Sequence, residues 1–445
     1  MRSELQAGDT LRLERARAVV TVDRRLGAGG QGVVHRAMLN GAPFAVKWYG
    51  DNNHAGDLRE SVNMLVRRGR APHPSFVWPI DVVVSDRIPG YGYLMRLIEP
   101  RFVTLAQMLN APEQPSFRVI ATLGRELVDA FAALHAAGLC YRDISFGNVR
   151  VDPIAAEVAV IDIDNIGTDG DEVFVRGTPP FMAPEIVRGE ALPTSITDLH
   201  SLAVLLFWLF VRGHPLLGSR TDSTYNWDHN RHVSEAELLV RNFGHDPLFV
   251  FHPHNQLNRP LPGDPMTMWW NIYPRFLRDL FITAFTTGLT DPSLHGRVTE
   301  GTWRRALLLL HDSVATCASC GAAVFYDPQR AGTCWDCRAA TPTPPLLETP
   351  GGTVVLSEGA VVSMRHLYRS RDHQSVLAQV ESHPGRAGQV VLRNMSGQPW
   401  VVHPDGEEPR TVAPAQRVAI RPMTIDFQNC RGRIIQPPVP KDGRA

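Results

Sequence analysis

A glycine-rich loop set between two strand-like stretches narrows the fold of this chain more than any other feature. Gly27-Ala28-Gly29-Gly30-Gln31-Gly32 follows the run Ala18–Arg25 and leads into Val33-Val34. Glycines let backbone N–H groups approach an anion closely and open φ values closed to other residues. A dinucleotide-binding loop of this type opens a helix; here β-branched residues follow, which favours a hairpin lying over a nucleotide. Read alone, the loop also fits a plain hairpin turn. Fifteen residues after Gly32, Lys47 closes the strand-like Phe44-Ala45-Val46-Lys47. A lysine ending an apolar strand must snorkel to water or meet a buried anion. Glu60, on a helix-like stretch from Asp57 to Arg70, is the expected partner. It would aim the ammonium at the α- and β-phosphates; the alternative is a solvated surface pair.

A second polar constellation lies in the middle of the chain. Tyr141-Arg142-Asp143-Ile144-Ser145-Phe146-Gly147-Asn148 follows a helical pattern ending near His135. Nineteen residues after Asp143, the apolar run Val158–Ile161 ends in Asp162-Ile163-Asp164. Phosphoryl transfer needs a cation on the β/γ oxygens, a carboxylate for the attacking hydroxyl, and charge neutralisation. Asn148 and Asp162 offer hard oxygen ligands for Mg²⁺, and Asp143 is the candidate base.

In this order and spacing the motifs resemble the protein kinase superfamily, over some 270 residues. Gly177-Thr178-Pro179-Pro180-Phe181-Met182-Ala183-Pro184-Glu185 resembles the end of that family's activation segment, in its serine/threonine form. Asp198 matches the aspartate that ties down the catalytic loop, and Arg297 the arginine that pairs with Glu185. The resemblance implies an ATP site formed by Gly27, Gly29, Gly30, Gly32, Val34, Ala45 and Lys47. Met95 would be the gatekeeper, with Arg96 and Leu97 as the hinge. Met64, Tyr141 and Ile163 would form an apolar spine. It also implies catalytic roles for Lys47, Glu60, Asp143, Asn148 and Asp162. The layout is similar to bacterial serine/threonine kinases. Departures are Tyr141 for His, Ile163 for Phe, Asp164 for Gly, Ser145 for Lys, and Arg150 at the adenine floor. Arg142, preceding the base, implies an activation segment ordered by phosphate, with Thr168 and then Thr178 as acceptors.

The expected fold class is therefore α+β. A two-lobed kinase domain spans about residues 10–312, with its N-lobe at about 10–95 and its C-lobe at about 96–312. Cys317-Ala318-Ser319-Cys320 and Cys334-Trp335-Asp336-Cys337, 13 residues apart, read as a structural zinc ribbon over residues 314–340. Residues 341–352 read as a Pro-rich linker. Residues 353–436, with short apolar runs punctuated by Gly, Pro and Asn, read as an all-β, sandwich-like interaction domain that provides docking. Within it, Leu392-Arg393-Asn394-Met395-Ser396 faintly resembles forkhead-associated phosphothreonine readers, but without a clear arginine and serine set. Histidines 229, 232, 245, 252 and 254 lack metal-site spacing and read as core or solvated groups.

Lys plus Arg balance Asp plus Glu at 45 each, and the longest apolar run is about ten residues. Neither a nucleic-acid nor a membrane partner is expected. Paired cysteines without a disulfide framework point to the cytoplasm. Three readings stay open: an ATP- and Mg²⁺-dependent kinase acting on protein hydroxyls, a pseudokinase scaffold that binds nucleotide, and a small-molecule kinase. The Thr178–Glu185 segment argues against the last.

Overall fold

The structure is a computed structural model. It describes residues 4–29, 32–50, 55–171, 177–221, 234–328, 332–341, 343–370, 372, 375–386 and 388–437. Gly30 and Gln31 of the glycine loop, and His229 and His232, lie outside the described residues. The chain divides into two compact units. One comprises Met1–Pro115, Thr122–Thr267 and Asp279–Arg304; the other comprises Ser116–Ala121, Met268–Arg278 and Arg305–Ala445. The division falls inside the helix Glu300–Asp312 rather than at its expected end.

Side-chain alternation builds the start of the first unit. Strands β1 (Thr10–Leu13), β2 (Val19–Ala28), β3 (Val33–Leu39), β4 (Ala42–Tyr49), β5 (Pro79–Val84) and β6 (Tyr91–Arg96) close into an antiparallel barrel, in the order β1-β2-β3-β4-β6-β5. Successive residues of a strand face opposite sides, so Val46 and Trp48 of β4 enter a core with Leu11, Val20, Val22, Val83 and Leu94. The opposite face of β4 carries Ala45, Lys47 and Tyr49. Their ladder partners on β6 are Met95, Tyr93 and Tyr91, and Val34 of β3 lies across from Lys47. Helix α1 (Ala55–Arg68) ends before Arg70 because Gly69 takes a left-handed φ of 75°, the usual glycine stop.

Helices dominate the remainder of this unit. α2 (Leu105–Leu109) precedes α3 (Phe117–Ala136), which belongs to this unit from Thr122 on, and α4 (Pro184–Val187) precedes α5 (Ser195–Val211). α5 is buried on every side, as its composition demands; its Phe207 meets Phe249, Phe281 and Phe285 edge-on at 5.7, 5.2 and 5.8 Å. A small sheet of β7 (Val103–Thr104), β8 (Val149–Asp152) and β9 (Glu157–Val160) completes the unit.

In the second unit the hairpin β10 (Val314–Thr316) and β11 (Ala323–Phe325) adjoins the cysteine knuckles. The tail is a two-sheet sandwich. One sheet orders β12 (Leu346–Thr349), β13 (Gly352–Val355), β17 (Trp400–Pro404), β18 (Arg410–Val412), β20 (Met423–Asp426) and β21 (Arg431–Ile435) as β13-β12-β21-β20-β17-β18. The other orders β14 (Val361–Ser363), β15 (Val376–Ser382), β16 (Val390–Asn394) and β19 (Arg417–Ala419) as β14-β15-β16-β19. Their facing side chains, Trp400, Val402, Val380, Leu392 and Ile425 among them, form one core.

Two sequence expectations need correction here. Residues 341–352 are not simply a linker: Leu346–Thr349 is a strand paired on both sides, with β13 and β21, because Leu347 is wholly buried in the sandwich core. The knuckles are not a free-standing module either. Cys317 and Cys334 share an apolar cluster with Leu346 and Val355 of the sandwich.

Asp312 anchors the second unit. Both its oxygens accept from Arg365 at 2.5 Å, and His366 and His311 approach at 3.2 Å. Burial opposes its charge, but the histidine hydrogen bonds and the guanidinium hold its carboxyl well below the usual range. Removing one partner of a buried pair costs about 3–5 kcal/mol. Asp312→Asn is therefore expected to lower the urea midpoint reported by Trp400 fluorescence. The wild-type contribution persists above about pH 4, the ordinary carboxylate range, and is lost as pH falls below it through the depressed native value.

Candidate active site

The β8–β9 hairpin brings two separate polar loops together. Val149 pairs with Val160, and Ile161 N–H donates to Asn148 O at 2.9 Å, so the residues just outside the hairpin's open end are neighbours. Those residues include Asn148 on one side and Asp162 on the other. Asp162 adopts φ 61°, a left-handed conformation that aspartate tolerates better than most residues.

The Asp143 loop is fixed from beneath. Asp198, on the first turn of α5 and almost fully buried, accepts from Tyr141 N at 2.5 Å and from Arg142 N at 3.0 Å. His135 of α3 holds that carboxylate through Nε2 at 3.2 Å and reaches Glu300 through Nδ1 at 2.5 Å. Burial works against a charge on His135, yet the two carboxylates overcome it and raise its pKa to about 9. Asn148 Nδ2 donates to Asp143 O at 2.9 Å and to Asp143 Oδ2 at 3.0 Å. Thr178 Oγ1 donates to Asp143 Oδ1 at 2.8 Å. Burial pushes the Asp143 carboxyl above its ordinary value, and the donors from Thr178 and Asn148 restrain that rise. Thr178, expected as a phosphate acceptor, is thus engaged by the candidate base.

Lys47 does not meet Glu60. Its Nζ contacts Asp162 Oδ1 and donates to Asp164 at 3.0 Å (Oδ1) and 2.8 Å (Oδ2). Tyr49 OH also donates to Asp164 Oδ2, and the Lys47 ammonium lies 5.5 Å from the Tyr49 ring centroid. Asp164 is fully buried and Lys47 is 4% exposed, whereas Glu60 is exposed on α1 and its carboxylate is not among the partners of Lys47. The physical reason is desolvation: a buried ammonium requires an enclosed counter-charge, and Asp164 supplies it. Burial opposes the charge on Lys47, but Asp164 and Asp162 more than offset it and raise its pKa.

Other expected residues fall around this centre. Ala45, Met95 and Val34 share the strand face of Lys47, and Arg96 and Leu97 follow directly. None of Gly27, Gly29 and Gly32 takes a positive φ. Gly32 is required by close packing, since a Cβ there would sit 2.7 Å from Trp48 O; a Cβ at Gly27 would meet nothing, and one at Gly29 only an ordinary contact with Gly32 O at 4.0 Å. Tyr141 and Ile163 are fully buried and Met64 partly so; Phe76 packs on Tyr141 at 6.4 Å. Arg150 turns its guanidinium to Gly147 O and Val149 O at 2.7 and 3.0 Å. Arg297 Nη2 grips both Glu185 oxygens at 2.7 and 2.8 Å.

Arg142 already has an anion. Its Nη2 donates to Thr168 O at 2.7 Å and to Asp171 Oδ2 at 3.2 Å, while the Thr168 hydroxyl donates to the same Asp171 oxygen at 2.6 Å. Sequence reasoning missed Asp171, Tyr49 and His135. A carboxylate three residues past Thr168, and a tyrosine two past Lys47, were the available signals.

In the second unit the Sγ atoms of Cys317, Cys320, Cys334 and Cys337 all lie within 4.8 Å of one another. No comparable group of His, Cys, Asp or Glu occurs elsewhere among the described residues, including His245, His252 and His254.

The family model described as "Protein kinase domain" matches residues 20–249, just over half of the chain. The chain belongs to the protein kinase family. A probable serine/threonine-protein kinase of Dictyostelium discoideum is 25% identical over 194 residues, 43% of this chain and 12% of that protein. Serine/threonine-protein kinase PkaB of Streptomyces coelicolor is 25% identical over 265 residues, covering 56% of each chain. The kinase thus spans less than two thirds of the length of these relatives. Among solved structures, the autoinhibited serine kinase domain of titin aligns over 66% of this chain and 81% of its own, at 15% identity and a TM-score of 0.48.

His135 supplies a pH test of how this kinase holds its loop. Its native pKa, about 9, lies above the ordinary 6.5. Its contribution is complete below the ordinary value and lost as pH rises through about 9. Denaturant titrations at pH 7 and pH 10 are expected to show a loss on the order of 3 kcal/mol, absent from His135→Gln.

Proposed function

We propose that this chain is an ATP-dependent protein kinase that transfers the γ-phosphate to serine and threonine hydroxyls of protein substrates, itself included. The observation carrying this reading is the convergence of Lys47, Asp162, Asn148 and Asp143 at the open end of one hairpin.

The donor chemistry suits Mg²⁺. Asn148 spends its amide nitrogen on Asp143, which leaves its carbonyl oxygen for a cation. The Lys47 cluster sets two carboxylates against one ammonium, so a further positive charge is favourable there. Mg²⁺ held by Asp162 and Asn148 would neutralise the β/γ oxygens of ATP. Lys47 would bind the α- and β-phosphates, and the strand face bearing Val34, Ala45 and Met95 would enclose the base. The substrate hydroxyl attacks the γ-phosphorus, its proton passes to the Asp143 carboxylate, and the bond to the β-phosphate oxygen breaks to release ADP. Thr178 and Asn148 keep Asp143 ionised and aimed.

Asp143→Ala is expected to cut label transfer from γ-labelled ATP by about 10³-fold, within the range for a positioned base. Thr178→Val removes a donor to the ionised form, so the Asp143 pKa rises. The acidic limb of kcat/KM then moves to higher pH. Ser145, buried where the family resemblance leads one to expect lysine, supports the alternative of a nucleotide-binding pseudokinase. ATP bound by the wild type with no label incorporated would establish that alternative.

Asp171 beside Arg142 supports that arginine finding its counter-charge without phosphate, in place of phosphorylation at Thr168 or Thr178. Thr168→Ala is expected to keep wild-type transfer rates, measured with the segment shown free of phosphate by mass spectrometry. The four cysteines are proposed to hold a structural Zn²⁺. Sγ separations of 3.7 Å (Cys317–Cys337) and 3.6 Å (Cys320–Cys334) approach the edge of about 3.8 Å for a tetrahedron with ~2.3 Å Zn–S bonds. Native mass spectrometry should find one zinc per chain, and chelation should lower the Tm of the second unit. The reading places the protein in the cytoplasm, supported by six cysteines that are all free. No helix among the described residues is long and apolar enough to cross a membrane. The sandwich is proposed as a docking module.

A further inference from the structure

Resting on the kinase reading, we infer that Asp164 and Tyr49, rather than Glu60 of α1, position Lys47 for phosphoryl transfer. Three observations carry this. Lys47 Nζ donates to both oxygens of Asp164, and Tyr49 OH donates to one of them, so the carboxylate is held from two directions. The side chain of Asp164 is completely enclosed, while that of Asp162 keeps 35% of its surface. A nucleotide entering the cleft can therefore take over the Asp162 contact with the ammonium, but cannot reach between Lys47 and Asp164. Glu60, one turn before Met64 on α1, shares an open surface groove with Arg59, Asn63, Arg67 and Arg68.

The neighbours of Asp164 fit the same assignment. Tyr49 stacks on Tyr91 at 4.9 Å and tilts toward Tyr93 at 6.3 Å, so the wall behind the ion pair is aromatic. Arg59 of α1 covers the outer face of Tyr91 at 5.6 Å, and its Nη2 reaches Glu14 at 2.5 Å. The helix thus braces the tyrosine wall without donating a carboxylate. Asp164 also sits two residues from Asp162 on the same turn, Ile163–Asn165. The acid that holds the lysine and the acid proposed to hold Mg²⁺ therefore sit on one short turn.

The test uses the full chain and two independent readouts. The first is equilibrium binding of a fluorescent ATP analogue, which requires no turnover. Asp164→Asn is expected to weaken binding at least fivefold, because Lys47 is no longer held toward the phosphates. Glu60→Gln is expected to bind within about twofold of wild type. The second readout is phosphate transfer: Asp164→Asn is expected to lose at least tenfold in kcat, Tyr49→Phe a smaller factor, and Glu60→Gln less than about twofold.

A fivefold weaker nucleotide affinity or a tenfold loss of transfer with Glu60→Gln overturns the inference. That substitution lies at an exposed position, so it decides the matter even if Asp164→Asn fails to fold. Unchanged affinity and unchanged transfer with Asp164→Asn overturn it too. Wild-type protein that binds the analogue but transfers no phosphate removes the kinase activity, while the affinities of the two variants still decide which acid positions the lysine.

Discussion

A buried carboxylate with three donors around it decides where the centre of this molecule can be. Asp198 takes the N–H groups of Tyr141 and Arg142 and the His135 imidazole, and it does so at the N-terminal end of a helix buried on all sides. Helix N-termini favour negative charge, so the acid is stabilised where the backbone amides also require an acceptor. Arg142, at a left-handed φ of 74°, is held in that conformation by the same grip. From this anchor the chain runs in one direction to Asp143 and Asn148. Through the β8–β9 ladder it then returns to Asp162. The positions of the polar groups follow from a short covalent path pinned at one charged point.

Much of this could be read in the amino-acid order, because the decisive residues are crowded into short windows. Asp143 and Asn148 are five positions apart, and Asp162 directly follows an apolar strand; local spacing alone brings them near one another once the hairpin forms. The barrel was legible for a similar reason, since alternation along Phe44–Lys47 separates Val46 from Lys47 whatever the partner strands are. The knuckles were legible because two Cys-x-x-Cys turns have few other uses.

Contacts across long sequence distances were harder to read. Two acids were in competition for Lys47, and family order favoured Glu60. The choice was settled by burial, which no window around either residue reveals: Asp164 loses all its solvent and Glu60 keeps its own. Asp171 was overlooked because its role depends on the Thr168 turn folding back over Arg142. In the tail, the short strands at Val361–Ser363 and Arg410–Val412 left little periodicity to detect, and the prolines ahead of Leu346 hid a central strand. The knuckle and sandwich residues were assigned to separate modules because their shared cluster joins Cys334 to Val355 across a stretch rich in proline.

The pairing of Lys47 with Asp164 has a pharmacological corollary. Here the lysine's counter-ion travels with the loop rather than the helix, so displacing α1 leaves that pair intact. A ligand in the Lys47 cleft would therefore meet the same lysine–carboxylate pair wherever α1 stands, backed by the buried phenols of Tyr49, Tyr91 and Tyr93.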